Sequence, residues 1–523
     1  MTDNIKESKS QANKRIAKNT LILYVRMIFL MLVSLYTSRV VLNALGVEDF
    51  GIYNVVGGLV AMFSIISASL SSAISRFITF ELGKGDLEKL KMIFSASVTI
   101  QVIISLIIIV LIELVGVWFL NTHMVIPQER MLAANWVLQL SVITFVINLI
   151  SVPYNAAIIA HEKMSAFAYI SILEALGRLS VALAIVHSPI DRLIFYAALI
   201  TGVAVLVRIV YGLYCNKHFT ECHCHFCWDS DLLKQMFSFA GWNFIGSSSA
   251  ILRDQGGNIL LNLFSGPVVN AARGISLQVN HAIIGFSENF MMALKPQIIK
   301  SYAQGDRSYM MTLVFQGARL SFYMLLLLSV PIFMNTEYIL TLWLKQFPDH
   351  TINFVQLVLI FTLCESISVP LVTSMQATGK IRNYQIVVGG LQMMNIPVSY
   401  VLLLLGNPPE CVLWAAIAIS QCCLAARLYM LHIQIKLPVK SYLKKVYLNV
   451  IIVSAISIVL SWLCLHNINE GILGFILSCI VCLLLTFATI FFVGCNNNER
   501  KMVVCKSRNI IRNRFTDNDR DKE

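Results

Sequence analysis

The sequence predicts an all-α protein that crosses a membrane many times. Three observations carry this. Of the 523 residues, 57% are hydrophobic and only 13% are charged, whereas a soluble domain carries roughly 25% charged residues. Apolar runs long enough to span, about 20 residues each, recur from residue 20 to residue 495. The runs are unbroken, where a β-barrel would alternate apolar and polar positions over about ten residues at a time.

In chain order, fourteen helical spans are predicted, at about residues 20–43, 51–80, 92–120, 131–159, 165–187, 193–216, 232–262, 268–298, 310–334, 351–377, 384–405, 410–435, 443–465 and 471–494. Several exceed the spanning length and are expected to tilt, bend or protrude. The first 19 residues are polar and basic. The run behind them is too long for the apolar region of a cleaved signal, so the first span is expected to serve as an uncleaved anchor.

Loop charge sets the orientation. Lys and Arg crowd one set of loops, from Lys6–Lys18 through Lys84–Lys91, Lys163, Lys295–Arg307, Lys380–Arg382 and Lys436–Lys445 to the tail, while the opposite loops carry only Arg130, Arg192 and Lys345. This bias places both termini in the cytoplasm and supports an even number of spans. The net charge of +12 therefore lies along one membrane face, and no nucleic-acid partner is expected. The 13 cysteines fall mostly inside apolar runs or in cytoplasmic loops and form no disulfide framework. The stretch Ser38–Tyr53, with Gly46 and Gly51 bracketing Glu48 and Asp49, reads as a tight acidic hairpin outside the membrane. Asn335–His350 is the longest outer loop, and its Tyr338–Leu344 portion suits the membrane interface.

An internal repeat divides the chain. Ser151-Val-Pro153 with Lys163 recurs as Ser368-Val-Pro370 with Lys380, Gly85-Asp86 as Gly305-Asp306, and Leu42-Asn43 as Leu261-Asn262, all at nearly one offset. The expected layout is a cytoplasmic segment 1–19, an N-lobe 20–217, an inter-lobe loop 218–231, a C-lobe 232–436, two further spans in 437–495 and a basic tail 496–523. Two six-helix lobes related by an axis along the membrane normal suit an alternating-access transporter.

Once the basic residues counted with the loops are set aside, including the lysines at the cytoplasmic ends of spans, nine remain within the predicted spans and all are arginine: Arg26, Arg39, Arg76, Arg178, Arg208, Arg253, Arg273, Arg319 and Arg427. Guanidinium stays charged when buried and offers a fixed fork of donors that suits phosphate and carboxylate. Those near helix ends can reach headgroups instead. The acids within spans are Glu113, Glu174, Asp254, Glu288 and Glu365. Glu174 and Arg178 stand four apart and can pair on one helix face. Asp254 precedes Gly256-Gly257, where a bend or break of the helix would turn backbone groups toward a cavity. Glu174, Asp254 and Glu365 are the candidates for coupling to Na+ or H+; no other cofactor is expected. Cys222-His-Cys-His-Phe-Cys227 superficially suggests a metal box, but its spacing lacks the second ligand pair, and no metal site is assigned. No phosphate-binding loop, nucleophile elbow or zinc-protease helix is present, and an enzyme is not expected.

Arg39-x5-Leu45-Gly46-x3-Phe50-Gly51-x-Tyr53, followed by Gly57-Gly58, resembles the start of the Wzx-type polysaccharide flippases of the multidrug/oligosaccharidyl-lipid/polysaccharide (MOP) superfamily. Fourteen spans in a 6+6+2 layout and Ala160-His-Glu-Lys-Met164 are similar too. The resemblance implies a bacterial inner-membrane protein that moves undecaprenyl-pyrophosphate-linked oligosaccharide units for O-antigen (lipopolysaccharide) or capsule assembly. Its partners would be that lipid-linked substrate, the bilayer and other polysaccharide-assembly membrane proteins. It implies a V-shaped pair of lobes around a cationic cavity, for which Arg26, Arg39, Arg178, Arg253, Arg273 and Arg319 are the candidates, with Arg26 and Arg273 foremost. The competing expectations are an exporter of drugs or of another lipid-linked precursor on the same fold, and a membrane polymerase or ligase.

Overall fold

Two left-handed glycines set the plan of the chain. The computed structural model describes residues 2–500 except positions 62, 123, 125, 186–187, 189–190, 223–228, 466–470 and 497–498. Most of the Cys222–Cys227 motif and the tail beyond residue 500 therefore lie outside the described residues. Helix α1 (Thr2–Ala61) turns at Gly46 (φ 81°), and α8 (Ser230–Ala303) turns at Gly266 (φ 79°). Each glycine reverses the chain between two helical arms with no loop, a backbone geometry that an L side chain would strain. The hairpin expected at Ser38–Tyr53 is thus a single-residue corner, and its counterpart occupies the same place in the second half.

After α1 come α2 (Ser64–Lys84), α3 (Leu87–Leu111), the short α4 (Val117–Thr122), α5 (Met131–Ala160), α6 (Met164–Ala184) and α7 (Arg192–His218). The second half repeats the order with α8, α9 (Arg307–Met334), the short α10 (Thr336–Leu344), α11 (Thr351–Ser366), α12 (Val369–Thr378), α13 (Arg382–Met393), α14 (Asn395–Leu404) and α15 (Cys411–Ile435). α16 (Val439–Tyr442), α17 (Leu448–Leu465) and α18 (Ile472–Thr489) are the addition. Among the described residues, eleven helices are long and apolar enough to cross a membrane. The remaining expected spans fall on the two arms of α8 and on the stretch joining the end of α1 to α2. The protein is a multi-pass membrane protein.

The repeated motifs occupy equivalent corners. Gly85 and Gly305 both take left-handed conformations, and Asp86 and Asp306 cap the helices that follow, accepting from the amides of Lys89 (3.1 Å) and Tyr309 (2.9 Å). Pro153 lies within a continuous α5, whereas Pro370 opens α12 after the chain leaves α11. The expected break at Gly256-Gly257 is not found: α8 is helical through both glycines and departs from helical geometry only at Gly266. Tyr338, in the segment expected at the interface, lies in α10 and stacks on Phe475 of α18, at 4.8 Å.

The core is joined at one end and parted at the other. One buried cluster unites Ile74, Phe77 and Phe94 of the first half with Phe239, Ile298 and Leu371 of the second. It lies toward the face that carries Lys84, Lys163, Lys300 and Lys380. Toward the opposite face the buried clusters belong to one half each: Val56, Val137 and Leu193, or Val41 and Tyr196, in the first; Leu261, Phe354 and Val412, or Ile283 and Leu340, in the second. Among the described residues, the two halves thus share a buried cluster at the basic face and none toward the opposite face.

Candidate functional site

A cavity of about 380 Å³ opens inside the first lobe. One face of α1 supplies Arg26, Leu30, Ser34 and Thr37, at helical spacing. The arm beyond Gly46 adds Tyr53, α6 adds Glu174 and Arg178, and α7 adds Tyr196. Tyr53 and Tyr196 meet edge to face at 4.8 Å, which braces the wall nearest the corner.

The charges are unequal in their satisfaction. Arg178 donates twice to Glu174, from Nη2 at 2.7 Å and from Nε at 3.2 Å, so the spacing of four does produce the expected pair. Arg26 lies over the Phe167 ring at 4.4 Å, and its Nε is buried without a hydrogen-bond partner. Among the described residues no carboxylate pairs with Arg26. The cavity thus holds one guanidinium in a direct ion pair and one, Arg26, that feels the Glu174 charge only through space. In a space of low dielectric the second is a strong attractor for an anion.

The second lobe gathers a separate polar group. Arg253 bonds Asp254 (Nε to Oδ1, 2.9 Å) and lies 5.0 Å above Phe361. Arg273, 5% exposed, reaches back from the other arm of α8 and donates from Nη2 to the Asp254 carbonyl at 3.2 Å. Its guanidinium fits against Gly257, where a Cβ would come within 2.6 Å of Nη1. Of the two glycines read as a helix break, Gly257 is instead a seat for this side chain, while Gly256 packs against Ile396 of α14. Glu365 of α11 accepts from Ser420 and stands 4.0 Å from Arg427, which donates to the Tyr384 hydroxyl at 3.3 Å.

The six candidate arginines therefore do not line one space. Arg26 and Arg178 share the first-lobe cavity with Glu174; Arg253 and Arg273 share the second-lobe group with Asp254. Arg39 is exposed on α1, beyond the cavity lining. Arg319 lies elsewhere: it is buried in α9 and held by Glu499 (2.5 Å) and the Gly494 carbonyl (3.3 Å), fastening the end of the last helix. An arginine inside a span signals a buried partner or a wet cavity equally well, and here the partner came from the segment read as a basic tail.

Sequence reasoning assigned no role to Glu162, which the fold makes central to the seam between the lobes. Glu162 is 4% exposed and takes a left-handed conformation (φ 59°) in the turn between α5 and α6. Its carboxylate accepts from Gln297 (2.6 Å) and Lys300 (2.7 Å) of the second lobe and pairs with Arg15 (2.7 Å). The repeat places Gly379, also left-handed, at the same position of the second half. A glutamate where the repeat has a left-handed glycine was the one signal available.

The sequence profile of the family described as polysaccharide biosynthesis protein matches residues 16–301, more than half of the chain. The chain is 20% identical over 314 residues to the uncharacterized membrane protein EpsK of Bacillus subtilis (strain 168), covering 60% of this chain and 62% of that one. It thus spans under two thirds of that relative's length. Among solved structures it is similar to a MATE in complex with MaD3S (TM-score 0.71, 13% identity, 81% of this chain and 97% of that one). It is similar also to a MOP superfamily transporter from Pyrococcus furiosus, described as having a binding pocket of reverse polarity that suggests a different function (TM-score 0.67, 12% identity, 82% and 96%). These likenesses carry the fold; the family follows from the profile together with the helical plan. The chain belongs to the polysaccharide biosynthesis protein family.

Proposed function

We propose that the protein is a flippase for a polyprenyl-diphosphate-linked oligosaccharide, undecaprenyl-linked in the bacterial inner membrane, supplying surface polysaccharide such as O-antigen or capsule. The basic face is the cytoplasmic one. The single observation that carries this reading is the first-lobe cavity, in which Arg26 has no direct ion pair and lies beside the Arg178–Glu174 pair. A diphosphate entering that space gains charge-assisted hydrogen bonds from guanidinium groups. The tyrosines and small polar groups above offer the sugars stacking and hydrogen-bonding surfaces, while the prenyl chain remains in lipid.

The parted upper clusters and the joined lower one correspond to a state open away from the basic face. Alternating access then requires the seam at the basic face to open. The head must be held similarly in both states, since a ligand shifts a conformational equilibrium only by its difference in affinity between them.

The test is translocation of a fluorescent lipid-linked oligosaccharide in proteoliposomes. Arg26→Ala is expected to slow translocation at least about tenfold, the loss of one charge-assisted interaction of about 1.5 kcal/mol or more. Arg26→Lys, which keeps the charge but not the fork, should fall between. Wild-type rates in Arg26→Ala and Arg178→Ala together would overturn the reading. Export of cationic drugs by the same fold would want an uncompensated acid, and here Glu174 is spent on Arg178. Growth of a longer glycan from lipid-linked donor by the purified protein would instead favour a polymerase.

A further inference from the structure

A second cavity, about 640 Å³, lies between the lobes at the basic face and belongs to neither polar group described above. Four basic side chains line it: Arg76 of α2, Lys234 of α8, Lys380 in the turn after α12, and Arg382 at the start of α13. One lining carboxylate, Asp231, opposes them. Among the described residues none of the four cations has a salt-bridge partner. Glu81, the nearest acid on α2, is turned to Lys89 at 3.2 Å.

Arg76 separates this arrangement from ordinary basic residues scattered along a membrane face. It is only 9% exposed, and its guanidinium is packed by the rings of Phe80 (4.5 Å), Phe77 (4.7 Å) and Phe239 (5.8 Å). Nη2 donates to the Ala377 carbonyl at 3.2 Å, while the buried Nε has no partner. The side chain is held rigidly against the turn 378–382, whose Gly379 leaves it room: a Cβ there would come within 2.7 Å of Nη2. The same turn leads into α13, a helix that begins without a side-chain cap. Its free amides and the positive end of its dipole join the cations at the cavity wall.

Depth identifies the kind of ligand. The lining of α8 runs from Asp231 to Trp242, about 16 Å along the axis. One end of the cavity is therefore level with the helix termini and the other with Trp242, an aromatic residue of the type that settles at the headgroup layer. Arg382 lies over the Trp242 ring at 5.5 Å.

We propose that this pocket binds a phosphate group at the level of the headgroups, either the phosphate of an anionic glycerophospholipid from the adjoining leaflet or a soluble phosphate. Its occupant bridges Arg76 of the first lobe to Lys380 and Arg382 of the second. A bound phosphate therefore cements the seam at the basic face.

Thermal unfolding of the purified protein in a neutral detergent tests this, with added short-chain phosphatidylglycerol, phosphatidylcholine of the same chain length, sodium diphosphate, or sodium sulfate at matched ionic strength. The expected result is a saturable rise in midpoint with phosphatidylglycerol and none with phosphatidylcholine or sulfate. The concentration for half effect should rise about tenfold or more in Lys380→Gln with Arg382→Gln, two exposed positions whose loss leaves the core intact. A rise with diphosphate alone, abolished in the same variant, supports the site and assigns it a soluble phosphate. No rise with either, or an equal rise in the variant, overturns the proposal. The readout is binding, so it stands or falls apart from translocation through the first-lobe cavity.

Discussion

The Glu162 carboxylate accepts from the Lys300 ammonium at 2.7 Å, across the seam between the two lobes. Gln297 and Arg15 hold the same carboxylate, and Asn19 donates to the Glu162 carbonyl at 3.1 Å. Nearby, Gly83 of α2 approaches the backbone of α8 so closely that a Cβ would lie 3.0 Å from the Lys300 Cα and from the Ala303 Cβ. One buried acid thus gathers the start of α1, the α5–α6 turn and the end of α8 at the point where the lobes are closed.

Glu162→Gln keeps the shape and removes the charge. Lys300 and Arg15 then lose their counter-ion, and removing one partner of a buried pair costs more than the pair contributes. About 1–3 kcal/mol is expected here, because Arg15 remains half exposed. Amide hydrogen exchange should accelerate in residues 15–23 and 294–303 and stay unchanged around α14. Equal acceleration everywhere would indicate general destabilisation, and no acceleration would show that the seam does not depend on this carboxylate.

Gly257→Ala should displace Arg273. The added methyl would meet Nη1 at 2.6 Å, and the guanidinium is too buried to move aside freely. Overpacking of this kind costs about 1–3 kcal/mol. In an Arg273→Ala background the three nearest atoms to that methyl are gone, so its cost should fall to under about 0.5 kcal/mol. Denaturant titration of the two single variants and the double variant measures the difference. Additive costs would refute the contact.

This pair also marks what the sequence could and could not disclose. Apolar run length and loop charge are local quantities, so spans and corners were legible, as were Gly85-Asp86 and Gly305-Asp306, whose left-handed turn and cap are built by the residues themselves. Glu174 and Arg178 were legible because four residues is one helical step. Arg273 and Gly257 meet only because Gly266 folds α8 back on itself, and no local pattern encodes that approach. Arg319 was misplaced for the same reason, since Glu499 becomes its neighbour only when α18 packs on α9. Glu162 gains its role from burial between three distant segments, and in sequence it is one acid among basic neighbours.

Glu174→Gln should uncouple the cavity charges. Arg178 would lose its ion pair and add a second uncompensated guanidinium beside Arg26. Binding of a diphosphate-linked head should tighten, by about tenfold for a gain near 1.4 kcal/mol. Translocation should slow, because release becomes harder. Binding to the purified protein and flipping in proteoliposomes are measured side by side. Weaker binding in Glu174→Gln would mean that the acid itself contacts the substrate.

On the face away from the lysines, Arg130 bridges two acids. Its Nε bonds Asp49 at 2.8 Å, its Nη1 bonds Asp191 at 2.5 Å, and a second contact runs from Nη2 to Asp49. Asp191 also caps α7, accepting from Leu193 (3.0 Å) and Ile194 (3.2 Å). Burial pushes the Asp191 carboxyl up, but the hydrogen bonds from Arg130 and the Ile194 amide, with the Arg130 charge and the Leu193 amide, outweigh it. The folded value therefore lies below the usual 3.8. A carboxyl lowered by folding contributes stability above its unfolded value and loses that contribution as pH falls through the folded one. Wild type should thus hold a constant advantage over Arg130→Gln from neutral pH down to about pH 4, the ordinary aspartate range. Below that the two unfolding midpoints should converge as Asp191 takes up its proton. The corner at Gly46 makes this more than a surface contact, because Asp49 is the third residue beyond it and Arg130 ties that corner to the starts of α5 and α7. Parallel midpoint curves for the two proteins through the acid range would show that the cluster does not hold the corner by charge.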